Sequence, residues 1–172
     1  MPPLEWTAAL SLDLPLMDET HQEFVNLLAQ VRSSPDPTLV DAWSHLIDHT
    51  EAHFGQEDAW MAQTRFASGN CHSVQHRVIL QVMREGLVAG RAGNLGMVRQ
   101  MAGELAMWFP QHAQSMDAAL ALHLRRVGFD PATGLVHAPQ ALPLEAIHGC
   151  GGSSCSDAPT ALPSATAIPE AA

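Results

Sequence analysis

The chain has 172 residues, which is enough for one domain with a hydrophobic core and some excess length. Its formal net charge is −10 and all eight basic residues are arginines, so no basic patch is predicted, and neither nucleic acid nor an anionic membrane is an expected partner. The sequence shows no apolar run of the ~20 residues that span a membrane, no signal peptide and only three cysteines, so we predict a location in the reducing cytoplasm.

The first 17 residues show no helical period, and we expect them to form an arm that lies across the rest of the fold. Helical spacing begins after this arm, where His21 and the apolar residues that follow it recur three and four positions apart. This pattern predicts a first helix over about 19–33, with Asp18 as its N-cap.

The same periodicity predicts two further helices. Asp36 is expected to cap the second helix, whose apolar pattern continues to about residue 66. Gly69 is expected to end that helix and Asn70 to cap the third one, which Gly90 and Gly93 are expected to end.

The fourth predicted helix begins after Asn94, ends near Gly128 and contains Pro110, which should kink or loosen it by removing a backbone hydrogen bond. No segment alternates in the manner of a strand. Four amphipathic helices with short connections predict an all-α fold, an antiparallel up-down four-helix bundle within residues 1–130. Residues 131–172 are rich in Ala, Pro, Gly and Ser, and we expect a disordered tail.

Histidines and carboxylates fall on the apolar faces of the predicted helices. His53 and Glu57 are four residues apart, as are His72 and His76, so each pair points in one direction. His21 adds a donor from the first helix. A lone histidine on such a face is more often a satisfied core residue than a ligand. A core that buried this many polar groups without a metal would, however, be hard to stabilise, so the joint pattern predicts a metal site.

His112 and Asp117 complete the set of candidate ligands, but they are five residues apart. At about 100° per residue, this spacing leaves ~140° between their directions on an α-helix. A single small ion would be hard for both side chains to reach. Two ions with the carboxylate between them would remove the difficulty.

The donor types narrow the choice of metal. Imidazole and carboxylate without thiolate suit iron, manganese or zinc, but a structural zinc ion needs four donors rather than seven. The His-Glu-x-x-His motif of zinc proteases is absent. Ferritin-like di-iron proteins use paired Glu-x-x-His motifs. This sequence has one such motif, from Glu145 to His148 in the tail, which argues against that class of protein.

Taken in chain order, these motifs resemble those of the hemerythrin family over residues 4 to about 125. The matching segments are Trp6 in the arm, Asp18-Glu19-Thr20-His21, His53-Phe54-Gly55-Gln56-Glu57-Asp58, His72-Ser73-Val74-Gln75-His76 and His112-Ala113-Gln114-Ser115-Met116-Asp117. The resemblance implies a four-helix bundle that binds O2 reversibly at two non-heme iron ions joined by an oxo or hydroxo bridge. It also implies oxygen carriage, storage or delivery to an unknown oxygen-consuming client, rather than catalysis.

The resemblance divides the seven candidate ligands between two iron ions and the bridge that joins them. They are His72, His76 and His112 for the first iron, His21 and His53 for the second, and Glu57 and Asp117 for the bridge. This division implies one six-coordinate iron and one iron with an open position for oxygen.

Several other residues surround this set. We expect Leu28, Phe54, Leu105 and Trp108 to form an apolar wall, although the same residues would serve as ordinary bundle core. His49, one turn before His53, is expected to hydrogen-bond near the ligands or to pack in the core rather than to bind metal.

The sequence predicts different roles for Cys71 and for the two cysteines of the tail. We expect Cys71 to be a small buried filler. Cys150 and Cys155 could bind a soft metal or form a redox disulfide, or they could be incidental residues of a flexible tail. Two further functions remain open at this stage: a di-iron peroxidase or oxidase, and an oxygen or iron sensor.

Overall fold

The computed structural model describes residues 4–66 and 71–147. The main elements are four long helices, listed as α1 (Pro15–Ser33), α2 (Asp36–Gln63), α3 (Cys71–Arg91) and α4 (Leu95–His112). Each helix packs against the next one along the chain, and α1 also packs against α4, which closes the bundle. The predicted antiparallel four-helix bundle is therefore confirmed. Gly69 and Asn70, the predicted boundary between α2 and α3, lie outside the described residues.

The first helix begins at Pro15, earlier than predicted, because proline at the first helical position loses no helix hydrogen bond. Asp18 consequently lies within the first turn, and its prediction as the N-cap is wrong. Its carboxylate accepts hydrogen bonds from the Ser11 hydroxyl at 2.6 Å and the Leu12 backbone amide at 2.7 Å. The side chain thus holds the N-terminal arm against α1.

Two other predicted caps have opposite outcomes. Asp36 is the first residue of α2 rather than its cap, and its carboxylate accepts a hydrogen bond from Arg99 at 2.6 Å. Asn94 caps α4 as predicted, because its side-chain oxygen accepts a hydrogen bond from the Met97 amide at 3.2 Å. Gly93 lies just beyond α3 with a φ of 91°, which a glycine adopts at little cost. Gly90 lies inside α3, so the prediction that it ends the helix is wrong.

The last long helical segment of the bundle changes helix type along its length. After α4, a π turn (Ala113–Asp117) leads into α5 (Ala118–Arg126). The Ala118 amide donates to the Ala113 carbonyl, which is the five-residue hydrogen bond of a π-helix. Pro110 lies inside α4, a few residues before this turn. The α-helical pattern is therefore interrupted after the proline, in the segment that separates His112 from Asp117.

Residues 129–147, which we call the C-terminal extension, cover one end of the bundle. Within it, β1 (Phe129–Asp130) pairs antiparallel with β2 (Leu135–Val136), so the prediction that the chain has no strand is wrong for this pair. Ile147 packs against the buried cluster at that end, and its amide donates to the Arg65 carbonyl at 3.0 Å. The rest of the predicted tail, residues 148–172, lies outside the described part of the chain.

The bundle interior consists of two apolar clusters with a polar layer between them. One cluster includes Phe24 on α1 and Phe109 on α4. The other includes Met17 on α1 and Leu120 on α5. On the first helix, His21 lies between the members of the two clusters. None of the helices in the described residues is long and apolar enough to cross a membrane.

Candidate metal centre

All seven predicted ligands converge in the polar layer, and none has more than 3% of its surface exposed. They come from all four long helical segments of the bundle and are His21 on α1, His53 and Glu57 on α2, His72 and His76 on α3, His112 at the end of α4, and Asp117 at the end of the π turn. The structure therefore brings together the complete set that the sequence predicted.

The π turn explains how His112 and Asp117 can face the same site. A π-helix advances by roughly 80° per residue, so five residues leave only about 40° between two side chains, compared with ~140° on an α-helix. The two side chains contact each other, with His112 Nε2 3.1 Å from Asp117 Oδ1. The spacing in the sequence predicted two metal ions but not this helix type, which depends on backbone hydrogen bonds.

Glu57 directs its two carboxylate oxygens toward different histidines. Its Oε1 lies 3.0 Å from His53 Nε2 and 3.7 Å from His21 Nε2. Its Oε2 lies 3.3 Å from His72 Nε2 and 3.4 Å from His76 Nε2. A carboxylate placed in this way can bind one ion through each oxygen.

Asp117 divides its oxygens in the same manner. Its Oδ1 lies 2.9 Å from His72 Nε2 and 3.1 Å from His112 Nε2, whereas its Oδ2 lies 3.3 Å from His21 Nε2. The two carboxylates therefore separate a set of three histidines from a set of two. This division of the ligand atoms suits two neighbouring ions with Glu57 and Asp117 between them.

Unsatisfied polar atoms support the fit to metal. Within the described residues, the ring Nε2 atoms of His21 and His72, Oε2 of Glu57 and both oxygens of Asp117 are buried without a hydrogen-bond partner. Each such atom costs about 1–3 kcal/mol, so a cluster of them is difficult to retain unless it binds something. Two groups of donors could each hold an ion, with ligand atoms within 4.8 Å of one another: Glu57, His72, His76, His112 and Asp117, and His21, His53 and Glu57.

The electrostatics of the layer favour charged groups in spite of burial. Burial lowers the pKa of His21 and of His72, but the close carboxylates of Asp117 and Glu57 outweigh it and raise each pKa to about 9. Burial would raise the pKa of Glu57, yet the neighbouring histidines hold it well below its usual range. The pKa of His112 is lowered by burial and by repulsion from His72.

Two of the three histidines in the larger set are oriented by hydrogen bonds from their outer ring nitrogens. His76 Nδ1 donates to Asp58 at 3.1 Å, and His112 Nδ1 donates to the side-chain oxygen of Gln75 at 3.3 Å. The Trp108 indole donates to the same oxygen at 3.3 Å. Such partners fix the orientation of a ligand ring and make it a stronger base. This role of Asp58 and Gln75 was not predicted from the sequence, although both residues belong to the segments that resemble the hemerythrin motifs.

Aromatic rings flank both histidine sets. Phe54 stacks on His76 with ring centroids 3.9 Å apart, and Trp108 stacks on His112 at 4.4 Å. On the other side, the edge of Phe109 meets His21 at 5.2 Å. Of the predicted wall, Phe54 and Trp108 thus border the larger set. Phe109, beside the smaller set, was not predicted as part of the wall. Both Leu28 and Leu105 are buried in the apolar cluster that contains Phe109.

His49 and Cys71 lie next to ligand-bearing segments. His49 Nε2 donates to the backbone carbonyl of Thr20 at 3.2 Å, so this side chain connects α2 to the residue that precedes His21. Cys71, the first residue of α3, is disulfide-bonded. The prediction of a small buried filler is therefore wrong for Cys71, which is a covalent cross-link immediately before His72.

Comparisons with known proteins agree with these motifs. Residues 12–122 match the model of the hemerythrin HHE cation binding domain. The chain is 34% identical to a bacteriohemerythrin from Ralstonia nicotianae over 130 residues. The aligned region covers 76% of this chain and 95% of that protein. The chain is 24% identical over 119 residues to a bacteriohemerythrin from Pseudomonas paraeruginosa, covering 67% of this chain and 77% of the relative. No solved structure gives a significant match. On the family match and the similarity to these relatives, the chain belongs to the hemerythrin family.

Proposed function

We propose that this protein binds O2 reversibly at a centre of two non-heme iron ions and serves in oxygen carriage, storage or delivery rather than as an enzyme. The observation that carries the proposal is the division of the carboxylate oxygens, since Glu57 and Asp117 each turn one oxygen toward the set of three histidines and the other toward the set of two. Family membership and the bacteriohemerythrin relatives support iron and O2 as the metal and the ligand.

The residues present fit such a centre. The larger set offers three imidazoles and two carboxylate oxygens, whereas the smaller set offers two imidazoles and two carboxylate oxygens. With an oxo or hydroxo group shared between the ions, the first would be saturated and the second would keep one open position. When bound, the iron pair supplies the electrons and the coordination position that oxygen needs.

The protein's own contribution is to hold the ligands and to restrict water and protons. In the described part of the chain, His21 forms ion pairs with Glu57 and Asp117, and His53 forms one with Glu57. The edge of Phe109 meets His21, and Phe54 packs beside His53 at a centroid distance of 5.4 Å. An apolar boundary of this kind limits proton delivery, so we expect slow irreversible oxidation of the centre.

Metal analysis and optical spectroscopy test the proposal together. After anaerobic reconstitution with ferrous iron, we expect two iron ions per chain and a nearly colourless protein. Exposure to oxygen should produce a visible charge-transfer band, and lowering the oxygen pressure should remove it. One tightly bound ion per chain would contradict the di-iron assignment.

The same sample separates a carrier from an enzyme. A carrier should take up a fixed amount of oxygen in the presence of a mild reductant and then stop. Sustained, fast oxygen consumption would favour the peroxidase or oxidase function. If small ligands enter only on the side of His21 and His53, azide should compete with peroxide for the open position in the oxidised protein.

A further inference from the structure

The two groups of donors at the candidate metal centre are unequal. Within the described residues, the larger group combines three imidazoles with two carboxylates and consists of Glu57, His72, His76, His112 and Asp117. The smaller group has the imidazoles of His21 and His53 with Glu57, and Oδ2 of Asp117 lies 3.3 Å from His21 Nε2. By its donors alone, the larger group should bind an ion more tightly.

Hydrogen bonds from outside support the larger group. His76 Nδ1 donates to Asp58 at 3.1 Å. His112 Nδ1 donates to the side-chain oxygen of Gln75 at 3.3 Å, and the Trp108 indole, which can only donate, bonds to the same oxygen. This second donor decides which end of the Gln75 amide faces His112. Removal of such a partner typically weakens metal binding roughly 10–100-fold.

The smaller group has no such support within the described residues. Nδ1 of His21 and Nδ1 of His53 are both buried without a hydrogen-bond partner, whereas in the larger group only His72 lacks one. Aromatic rings lie beside these two histidines instead, with Phe109 at 5.2 Å from His21 and Phe54 at 5.4 Å from His53 between ring centroids. An apolar ring restricts an imidazole but does not make it a stronger base, as a carboxylate or amide oxygen does.

Charge adds to the difference between the groups. Glu57 and Asp117 are shared, since each turns one oxygen toward either group. A first divalent ion in the larger group would neutralise this pair of carboxylates. The second ion would then meet a like charge with no further carboxylate among its ligands, and such repulsion is strong in a buried site. Asp58 adds its negative charge beside His76, in the larger group.

We propose that the two positions fill in order, the larger group first, and that iron supply thereby controls whether the protein can bind oxygen. In the proposed function, the open coordination position belongs to the ion of the smaller group, so a chain with one iron offers oxygen no position. With iron in excess both positions fill. The control by iron supply rests on the proposed function, whereas the order of filling does not.

Anaerobic titration with ferrous iron tests the order of filling. A competing chelator sets the free iron concentration, and bound iron per chain is measured at each concentration. We expect two steps of one ion each, separated by roughly 100-fold or more in free iron, because two supporting hydrogen bonds favour the first. His53→Ala should abolish the weaker step, whereas His76→Ala should weaken the tighter one. A single step in the wild type, or loss of the tighter step alone in His53→Ala, would overturn the proposal.

Gln75 allows a finer test by conservative substitution. Gln75→Leu removes the acceptor of His112 and should weaken the tighter step roughly 10–100-fold without changing the weaker one. Gln75→Glu keeps an acceptor and should restore the tighter step. Gln81→Leu is the matched control, because Gln81 is an exposed residue of the same helix whose amide donates to Glu85 at 3.0 Å. Equal weakening of both steps in Gln75→Leu would contradict the positioning of the first ion by Gln75.

Exposure to oxygen during the same titration tests the control by iron supply. Samples stopped after the first step should show no oxygen-dependent visible band, and the band should appear with the second iron. A band that grows in proportion to total iron from the first addition would overturn this control. If iron binds in two steps but oxygen produces no band at either stage, the order of filling stands, and the proposed function fails together with the control that depends on it.

Discussion

Protonation controls the polar layer when metal is absent. Burial opposes charge on His21 and His72, but the two carboxylates raise the pKa of each imidazole to about 9, so both are protonated at neutral pH. Burial would also raise the pKa of Asp117, as would the charge of Glu57, but the surrounding histidines hold it well below its usual range. Metal ions must displace the imidazole protons, so metal binding near pH 7 should release protons.

The raised pKa values predict the pH dependence of the metal-free protein. A histidine whose pKa rises from 6.5 to about 9 on folding adds stability that is complete below pH 6.5 and is lost as the pH rises toward 9. The free energy of unfolding of the metal-free chain should therefore fall between pH 6.5 and about 9. Urea unfolding at a series of pH values measures it. His21→Gln should flatten part of the slope. A profile that rises between pH 6.5 and 9 would contradict the ion-paired layer. The metal-loaded protein should instead lose metal in acid, because protons compete for the ligands.

Substitution of the central carboxylate should affect both ions. Glu57→Gln replaces the proposed bridging carboxylate by a neutral amide, so metal content should fall below two ions per chain. Asp58→Asn is the matched control, because the Asp58 side chain is 41% exposed and accepts a hydrogen bond from the outer nitrogen of His76 at 3.1 Å. It should keep both ions with roughly 10–100-fold weaker affinity. Two ions retained in Glu57→Gln would show that this residue is not a bridge.

The two neighbouring histidines of α2 should differ in their effect on metal content. His53→Ala removes an imidazole whose Nε2 lies 3.0 Å from Glu57 and should lower metal content. His49→Ala removes a hydrogen bond to the Thr20 carbonyl but no inward-facing donor, so two ions should remain. Metal analysis of both variants would show the reverse result if His49 were the ligand.

At the scale of single elements, the continuous helical segment formed by α4, the π turn and α5 departs most from regular geometry. The π turn aligns His112 with Asp117, and Pro110 lies just before it, where its ring nitrogen cannot donate a helix hydrogen bond. Residues of α1 and α2 reach the site from uninterrupted α-helices, on which spacings of four residues already align side chains.

Pro110→Ala tests whether the proline is needed for this geometry. Alanine restores a backbone donor, so the metal-free protein should gain about 1–3 kcal/mol in its free energy of unfolding. Metal content should stay at two ions if the contacts around His112 and Asp117 maintain the π turn. A more stable variant that binds fewer ions would show instead that the proline maintains the turn and that the site costs stability. The measurements are urea unfolding and metal analysis.

At the scale of the whole molecule, the bundle depends on a cap at one end. Trp60 and Phe129 meet edge to face at 6.4 Å, and Val136, Leu142 and Ile147 pack on the cluster that contains them. The proposed boundary of the bundle near residue 130 therefore separates the ligands from the C-terminal extension, but it also cuts through a packed apolar contact.

Truncation after Asp130 should separate stability from metal binding. In a Cys71→Ser background, which removes the cross-link, the shortened chain should still bind two ions because every candidate ligand precedes residue 118. It should lose about 2–4 kcal/mol in its free energy of unfolding, since several partly buried apolar side chains are removed. The comparison is with full-length Cys71→Ser. Loss of metal on truncation would show that His137 or a later residue belongs to the site.

The sequence by itself determined the four helices and all seven side chains that the structure brings together. This was possible because spacings of three and four residues align side chains within one helix, whatever surrounds it. His53 with Glu57 and His72 with His76 follow this local rule directly. The caps were less predictable, and Asp18 holds the arm because Pro15 allowed the helix to begin earlier.

Only the tertiary structure decided how the ligands divide into two sets and how the chain ends. The directions of the oxygens of Glu57 and Asp117 depend on histidines of α1 and α3, and no local spacing contains that information. The π turn follows from backbone hydrogen bonding rather than from a residue pattern. The return of Ile147 to Arg65 likewise depends on apolar surface that the packed helices create, because residues far apart in sequence must first come together to form it.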